Sequence, residues 1–276
     1  MATQAFKKTR QLFHFSLKKE RIKLVIWIFA IVISVAVVLI SLLEVNSSVA
    51  EREAMAVAMQ NPAMEALFGR VIGIDNYTIG AMYSHQTTLL MFCLIAILSI
   101  LLVARNTRAE EEDGILEIFR SLPVGKLAHM TSAIWLLVLV NISIVIGTFL
   151  TILPFNDESL TLEGALLTGA IYGTIGLFFG VVTIVTAQLS NSSRGTMMGS
   201  FAILGVSYVL RIIGDAESEV LSWISPLGLL YGTEPFVKNN WWPVFIVLGI
   251  SILFIFIAFI LQSRRDLGAG ILPDKA

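Results

Sequence analysis

Six apolar runs of about twenty residues each constrain this chain more than anything else in it. They fall at 23–43, 81–104, 129–153, 163–187, 196–213 and 243–262, the fifth being the shortest. A run of that length spans the hydrocarbon core as a helix, because lipid offers the backbone no hydrogen-bonding partner. The whole chain agrees: of 276 residues, 56% are hydrophobic and 14% charged, against about 45–50% and about 25% in soluble domains. The expected fold class is all-α: a polytopic membrane protein with six transmembrane helices forming a single domain over 1–276. The first run, Leu24–Leu43, follows a long basic stretch and exceeds the 7–15 residues of a signal-peptide core. It is expected to be an uncleaved first span.

Six spans place both termini on one side. Lysines and arginines identify that side, since they concentrate on the cytoplasmic face. Fifteen of the 19 basic residues lie in 1–23, 104–128, 188–195 and 263–276. Only Arg52, Arg70, Arg211 and Lys238 lie opposite. A multi-pass protein of the cell membrane with both termini cytoplasmic is expected. Within 1–22, Phe6, Phe13 and Leu17 recur at helical spacing among Lys7, Lys8, Lys18 and Lys19. That pattern suits an interfacial helix on the inner leaflet, or a basic tail that only sets topology.

The segment 105–126, RNTRAEEEDGILEIFRSLPVGK, is a charged island between two spans. Glu110, Glu111, Glu112 and Asp113 run together, Gly114 follows, then an amphipathic turn (Ile115, Leu116, Ile118, Phe119, Leu122) ends at Pro123. Such a surface suits a partner outside the bilayer. The acids also favour a helix N-terminus through the dipole, whatever else they do.

Glycines 169, 173, 176 and 180 form one stripe on the fourth span, a pattern that permits close approach of another helix. His85, Glu163 and Arg211 sit near span ends, where they are expected to reach water. No relay of acids and histidines crosses the membrane. Asn141 is expected to bond to another helix. The stretch 44–80 reads as a small extracellular cap with a helix over Ala50–Phe68, broken by Gly69, Gly73 and Asp75. The stretch 214–242 carries Pro226, Gly228 and four interfacial aromatics, Trp223, Tyr231, Trp241 and Trp242. It reads either as short re-entrant turns or as an ordinary outer loop anchored by tryptophan.

Several chemistries lack their motifs. There is no G-x-x-x-x-G-K-[ST] for a nucleotide, no zinc spacing and no G-x-S-x-G elbow. The lone Cys93 lies in an apolar run, so no disulfide or cysteine-based metal cluster forms within the chain. The chain is expected to be a non-enzyme without a cofactor or metal of its own, and nothing points to nucleic acid.

In layout the chain resembles the permease subunit of type-two ABC exporters. That family carries a coupling helix between spans two and three, and Arg108, Glu110–Asp113, Gly114, Leu116–Glu117 and Pro123–Val124 stand at its characteristic places. Asn61–Gln86, Arg120–Leu127 and Arg264–Lys275 are similar to a narrower group, the exporters of polyketide antibiotics (tetronasin-type permeases). The resemblance implies outward movement of a hydrophobic or amphipathic, drug-like molecule. It implies a separate ABC ATPase, in two copies, that holds ATP and magnesium. It implies ATPase contact by Arg108, Glu110, Glu111, Glu112, Asp113, Gly114, Leu116, Glu117, Phe119 and Pro123. Members of that group join two six-span halves in one polypeptide; this chain matches the first, so a second half is expected, as a homodimer or as a fused or split partner. An ion-coupled transporter, or a non-transporting sensor or immunity subunit, is the alternative.

Overall fold

The computed structural model describes residues 2–45, 48–115, 123–217 and 219–264. Those residues are helical or in short connections, and six helices are long and apolar enough to cross a membrane. The chain is an all-α polytopic membrane protein. In order the helices are α1 (Ala2–Ala5), α2 (Thr9–Val45), α3 (Val49–Met59), α4 (Pro62–Phe68), α5 (Ile79–Arg105) and α6 (Arg108–Glu112). Then come α7 (Ala128–Ile152), α8 (Leu162–Leu189), α9 (Ser193–Glu217), α10 (Glu219–Ile224), α11 (Pro226–Tyr231) and α12 (Trp242–Arg264). The spans are α2, α5, α7, α8, α9 and α12.

α8 is the central post. It packs against α7, α5, α12 and α9, while α2 lies along α7 and α5. α5 and α8 are mostly enclosed; α2, α9 and α12 turn one face outward. The outward faces remain apolar: Val25, Ile26, Phe29, Ile33 and Val37 on α2, and Phe245, Ile252, Leu253 and Phe256 on α12, are exposed. In water those faces would be a liability; in lipid they are the solvated surface.

Two boundaries differ from the sequence reading. The stretch expected to divide near residue 22 into an interfacial helix and a span is one continuous helix, α2, of 37 residues. At 1.5 Å per residue it is about 55 Å long, far more than a hydrocarbon core of about 30 Å. Leu12, Ser16, Glu20 and Leu24 are buried at four-residue spacing, so one inward stripe continues through the expected boundary and keeps the helix unbroken. The cap, expected to hold one helix over 50–68, holds two. Pro62 follows the cap residue Asn61, whose side chain accepts from the Ala63 N–H, and restarts the helix.

Contacts define the two ends of the bundle. Lys19, Arg105, His129 and Gln188 meet at one end, here the terminal end; His85, Glu163, Arg211 and Trp241 lie at the other, the loop end.

Candidate functional site

The charged island is the place where local sequence most visibly shapes a site. α5 stops because its last side chains turn back on the backbone: Asn106 Nδ2 donates to the Leu102 carbonyl at 2.8 Å and Thr107 Oγ1 to the Val103 carbonyl at 2.7 Å. These bonds compete with continued helix. α6 then runs only from Arg108 to Glu112. Gly114 ends it at φ 72°, a left-handed backbone that favours glycine.

Five residues of helix cannot hold themselves together; their side chains anchor them. Arg108 is buried, donating from Nη1 to Glu111 Oε2 at 2.9 Å and from Nη2 to the Asn191 carbonyl at 2.7 Å. That second bond reaches the turn between α8 and α9. Glu110 is also buried, and its carboxylate accepts from Lys19 of α2 and from His129 Nε2 of α7, the latter at 2.6 Å. Glu20 extends the chain of charges, 3.4 Å from Arg105 and 3.8 Å from Lys19. Alternating charge thus joins α2, α5, α6 and α7, with the α8–α9 turn held through Arg108.

The acids that are consecutive in sequence therefore have different surroundings. Arg108 and Glu110 point into the protein. Glu112 and Asp113 are exposed, as is Pro123, and Gly114 is half-buried. Glu111 is engaged with Arg108. Leu116, Glu117 and Phe119 lie outside the described residues.

The four glycines of α8 all face α7. A Cβ at Gly169 would stand 2.7 Å from the Val145 carbonyl oxygen; at Gly173 it would strike Val145, at Gly176 Asn141 Oδ1, and at Gly180 Leu137. Asn141 is not bonded as expected. Its Nδ2 donates to Leu137 of its own helix at 2.9 Å, and its oxygen rests over the bare Gly176 backbone. Beside this seam, Val138, Ile142, Val145, Gly173 and Leu177 help line an apolar groove of about 300 Å³.

At the loop end, His85 and Arg211 do not reach water as expected; both are fully buried. The reason is the cap, which folds onto the span ends and exposes a ladder of carbonyls at the end of α4. Arg211 donates to the carbonyls of Glu65 (3.1 Å) and Ala66 (2.6 Å), and to Asp215 at 3.0 Å. Tyr208 donates to Leu67 at 3.1 Å and Tyr231 to Arg70 at 2.8 Å. His85 Nε2 must donate to the Gly69 carbonyl (3.1 Å), so its Nδ1 accepts from Tyr77 (2.7 Å). Burial pushes the Tyr77 phenol up to about 12, against a weaker downward pull from Gln86. Within 214–242, α10 and α11 are short helices; Leu227, Leu230 and Tyr231 are buried against α5, α8 and α12. Phe236 fills the space over Gly80 and Gly164. Glu163 accepts from Trp241 Nε1 at 3.2 Å.

No family model matches the chain. Over 272 residues it is 34% identical to a protein of Mycobacterium tuberculosis named as a multidrug efflux system permease. The chain is similar to an efflux permease. The match covers 98% of this chain but 48% of the relative, so the chain spans about half the length of that protein.

Proposed function

We propose that the chain forms one membrane-spanning half of an ATP-driven exporter, with 105–126 as the contact for a separate ABC ATPase. The observation that carries this reading is the two-sided α6. Its inner side, Arg108 and Glu110, is bound to α2, α7 and the α8–α9 turn. Its outer side presents Glu112 and Asp113. A rigid lever with one charged face free is what a motor outside the membrane needs to move a bundle. On this reading Arg108 and Glu110 are positioning residues that carry motion inward, and Glu112, Asp113 and Pro123 meet the motor.

The relative's name supports efflux, and its greater length supports a second six-span half. Both termini and α6 then face the cytoplasm, as the lysine and arginine distribution indicates. ATP and magnesium belong to the ATPase, present in two copies, and the chain itself catalyses no reaction. The cargo is a hydrophobic or amphipathic drug-like molecule of the polyketide-antibiotic kind. ATP binding and hydrolysis would switch the paired halves between inward- and outward-facing states by differential contact with α6.

The test replaces Glu112 and Asp113 with serine in the tagged chain. ATPase recovered in a pull-down should fall while membrane insertion and monodispersity persist. Undiminished recovery would count against this contact.

A further inference from the structure

The basic N-terminal stretch does more than mark a side of the membrane. Residues 5–8 are held against the start of α7: the Gly125 N–H donates to the Lys7 carbonyl at 3.1 Å and the Leu127 N–H to the Ala5 carbonyl at 3.0 Å. The chain then turns at Lys8, whose φ is 68°, and enters α2. Between this turn and α7 lies an open cavity of about 520 Å³. Its lining is mostly apolar, with Phe6 and Trp135 as walls, and Lys8, Thr9, Arg10, Gln11 and Thr131 complete it. No carboxylate lines it, and neither Lys8 nor Arg10 pairs with one among the described residues.

We propose that this cavity takes an anionic phospholipid, with its glycerol and first acyl carbons on the apolar walls and its phosphate at Lys8 and Arg10. Three observations converge. The two cations offer a phosphate an uncompensated positive charge, and Gln11 adds a neutral hydrogen-bonding amide. The walls are aromatic and half-exposed, Phe6 at 42% and Trp135 at 46%, which suits glycerol and the first acyl carbons. The depth is that of the headgroups. Trp135 is seven residues into α7, about 10 Å from its start. Phe6 stacks edge-on against Phe259, 6.0 Å between centroids and five residues from the end of α12. Aromatic rings and cationic side chains at that depth are the ordinary partners of anionic lipid. Phe13 braces Trp135 from α2 at 5.9 Å, so the wall is fixed.

This inference does not depend on the exporter reading. It is tested by native mass spectrometry of the full chain, purified in mild detergent and incubated with phosphatidylglycerol, phosphatidylcholine or inorganic phosphate. The wild type should retain phosphatidylglycerol and not phosphatidylcholine. Each cation near the surface is worth about fivefold in affinity, so the double variant Lys8→Gln with Arg10→Gln should bind about thirtyfold more weakly. The control is Lys18→Gln with Arg21→Gln, two exposed positions further along α2 with the same loss of charge; it should bind as the wild type does. Equal weakening in both variants would assign the effect to diffuse charge and overturn the site. Equal retention of phosphatidylcholine would overturn headgroup selection. Displacement of the lipid by millimolar phosphate would make this a site for free anion rather than lipid. If the double variant fails to fold, the single variants, each expected at about fivefold, carry the test.

Discussion

Glu110→Gln is the sharpest perturbation of the site, because it removes a charge without changing the shape of the side chain. The Glu110 side chain is 3% exposed and faces Lys19 and His129. A hydrogen bond to a charged group contributes about 1.5–3 kcal/mol. Lys19 is 32% exposed, so water replaces most of its share. The His129 contact, at 2.6 Å and 14% exposure, has no such substitute. The expected local cost is about 2 kcal/mol, or about a thirtyfold rise in the population of opened α6. Hydrogen exchange reads this directly. The Glu111 N–H bonds to the Thr107 carbonyl and the Asp113 N–H to the Ala109 carbonyl, so both amides report on whether α6 is formed. Their exchange should accelerate by about that factor, while amides in the middle of α8 stay unchanged. Glu112→Gln, two residues on and exposed, should alter exchange by no more than about twofold. Equal effects from the two variants, or none from either, would refute the inward assignment of Glu110.

Three further outcomes follow from the packing. Gly176→Ala should destabilise the detergent-purified protein by about 1–3 kcal/mol, since its Cβ meets Asn141 Oδ1 and lies 2.8 Å from Ile95; adding Asn141→Ala should recover part of the loss in thermal unfolding, and no recovery would break the proposed contact. Arg211→Met removes the bonds that tie α9 to two α4 carbonyls and to Asp215, though Gly69, Tyr208 and Ser222 still donate to those three acceptors; losing hydrogen bonds to a charged group costs about 1.5–3 kcal/mol, so limited proteolysis should cut the cap before the spans. Tyr77, raised to about 12, contributes stability that is complete below about pH 10 and is lost as pH rises toward about 12; Tyr77→Phe should remove that part of the alkaline unfolding profile.

The spans were legible because lipid imposes one simple requirement, length of apolar sequence, and each of the six runs is a helix. Glycines 169 to 180 were legible as a stripe for the same reason, since periodicity alone puts them on one face. What they meet was not: Asn141 looks on paper like an interhelical hydrogen bond, but the nearness of the Gly176 backbone leaves its oxygen no donor there. The acidic run shows the limit most clearly. Glu110 and Glu112 are chemically alike and two positions apart, and only the arrival of Lys19 and His129 from distant segments separates them. His85 and Arg211 were misplaced for a related reason. Their depth in a span was readable, but the cap that covers them is built from residues 49–70 and its docking is a tertiary fact. The continuity of α2 escaped because charge composition changes at residue 23 while the buried stripe does not.

In the function proposed above, a separate ATPase drives this bundle through the segment between α5 and α7. The most direct measurement is a pull-down of the tagged chain from its native membrane in mild detergent, with mass spectrometry of what accompanies it. An ABC ATPase at stoichiometric abundance is expected. A folded, monodisperse chain that brings down no ATPase would contradict that reading.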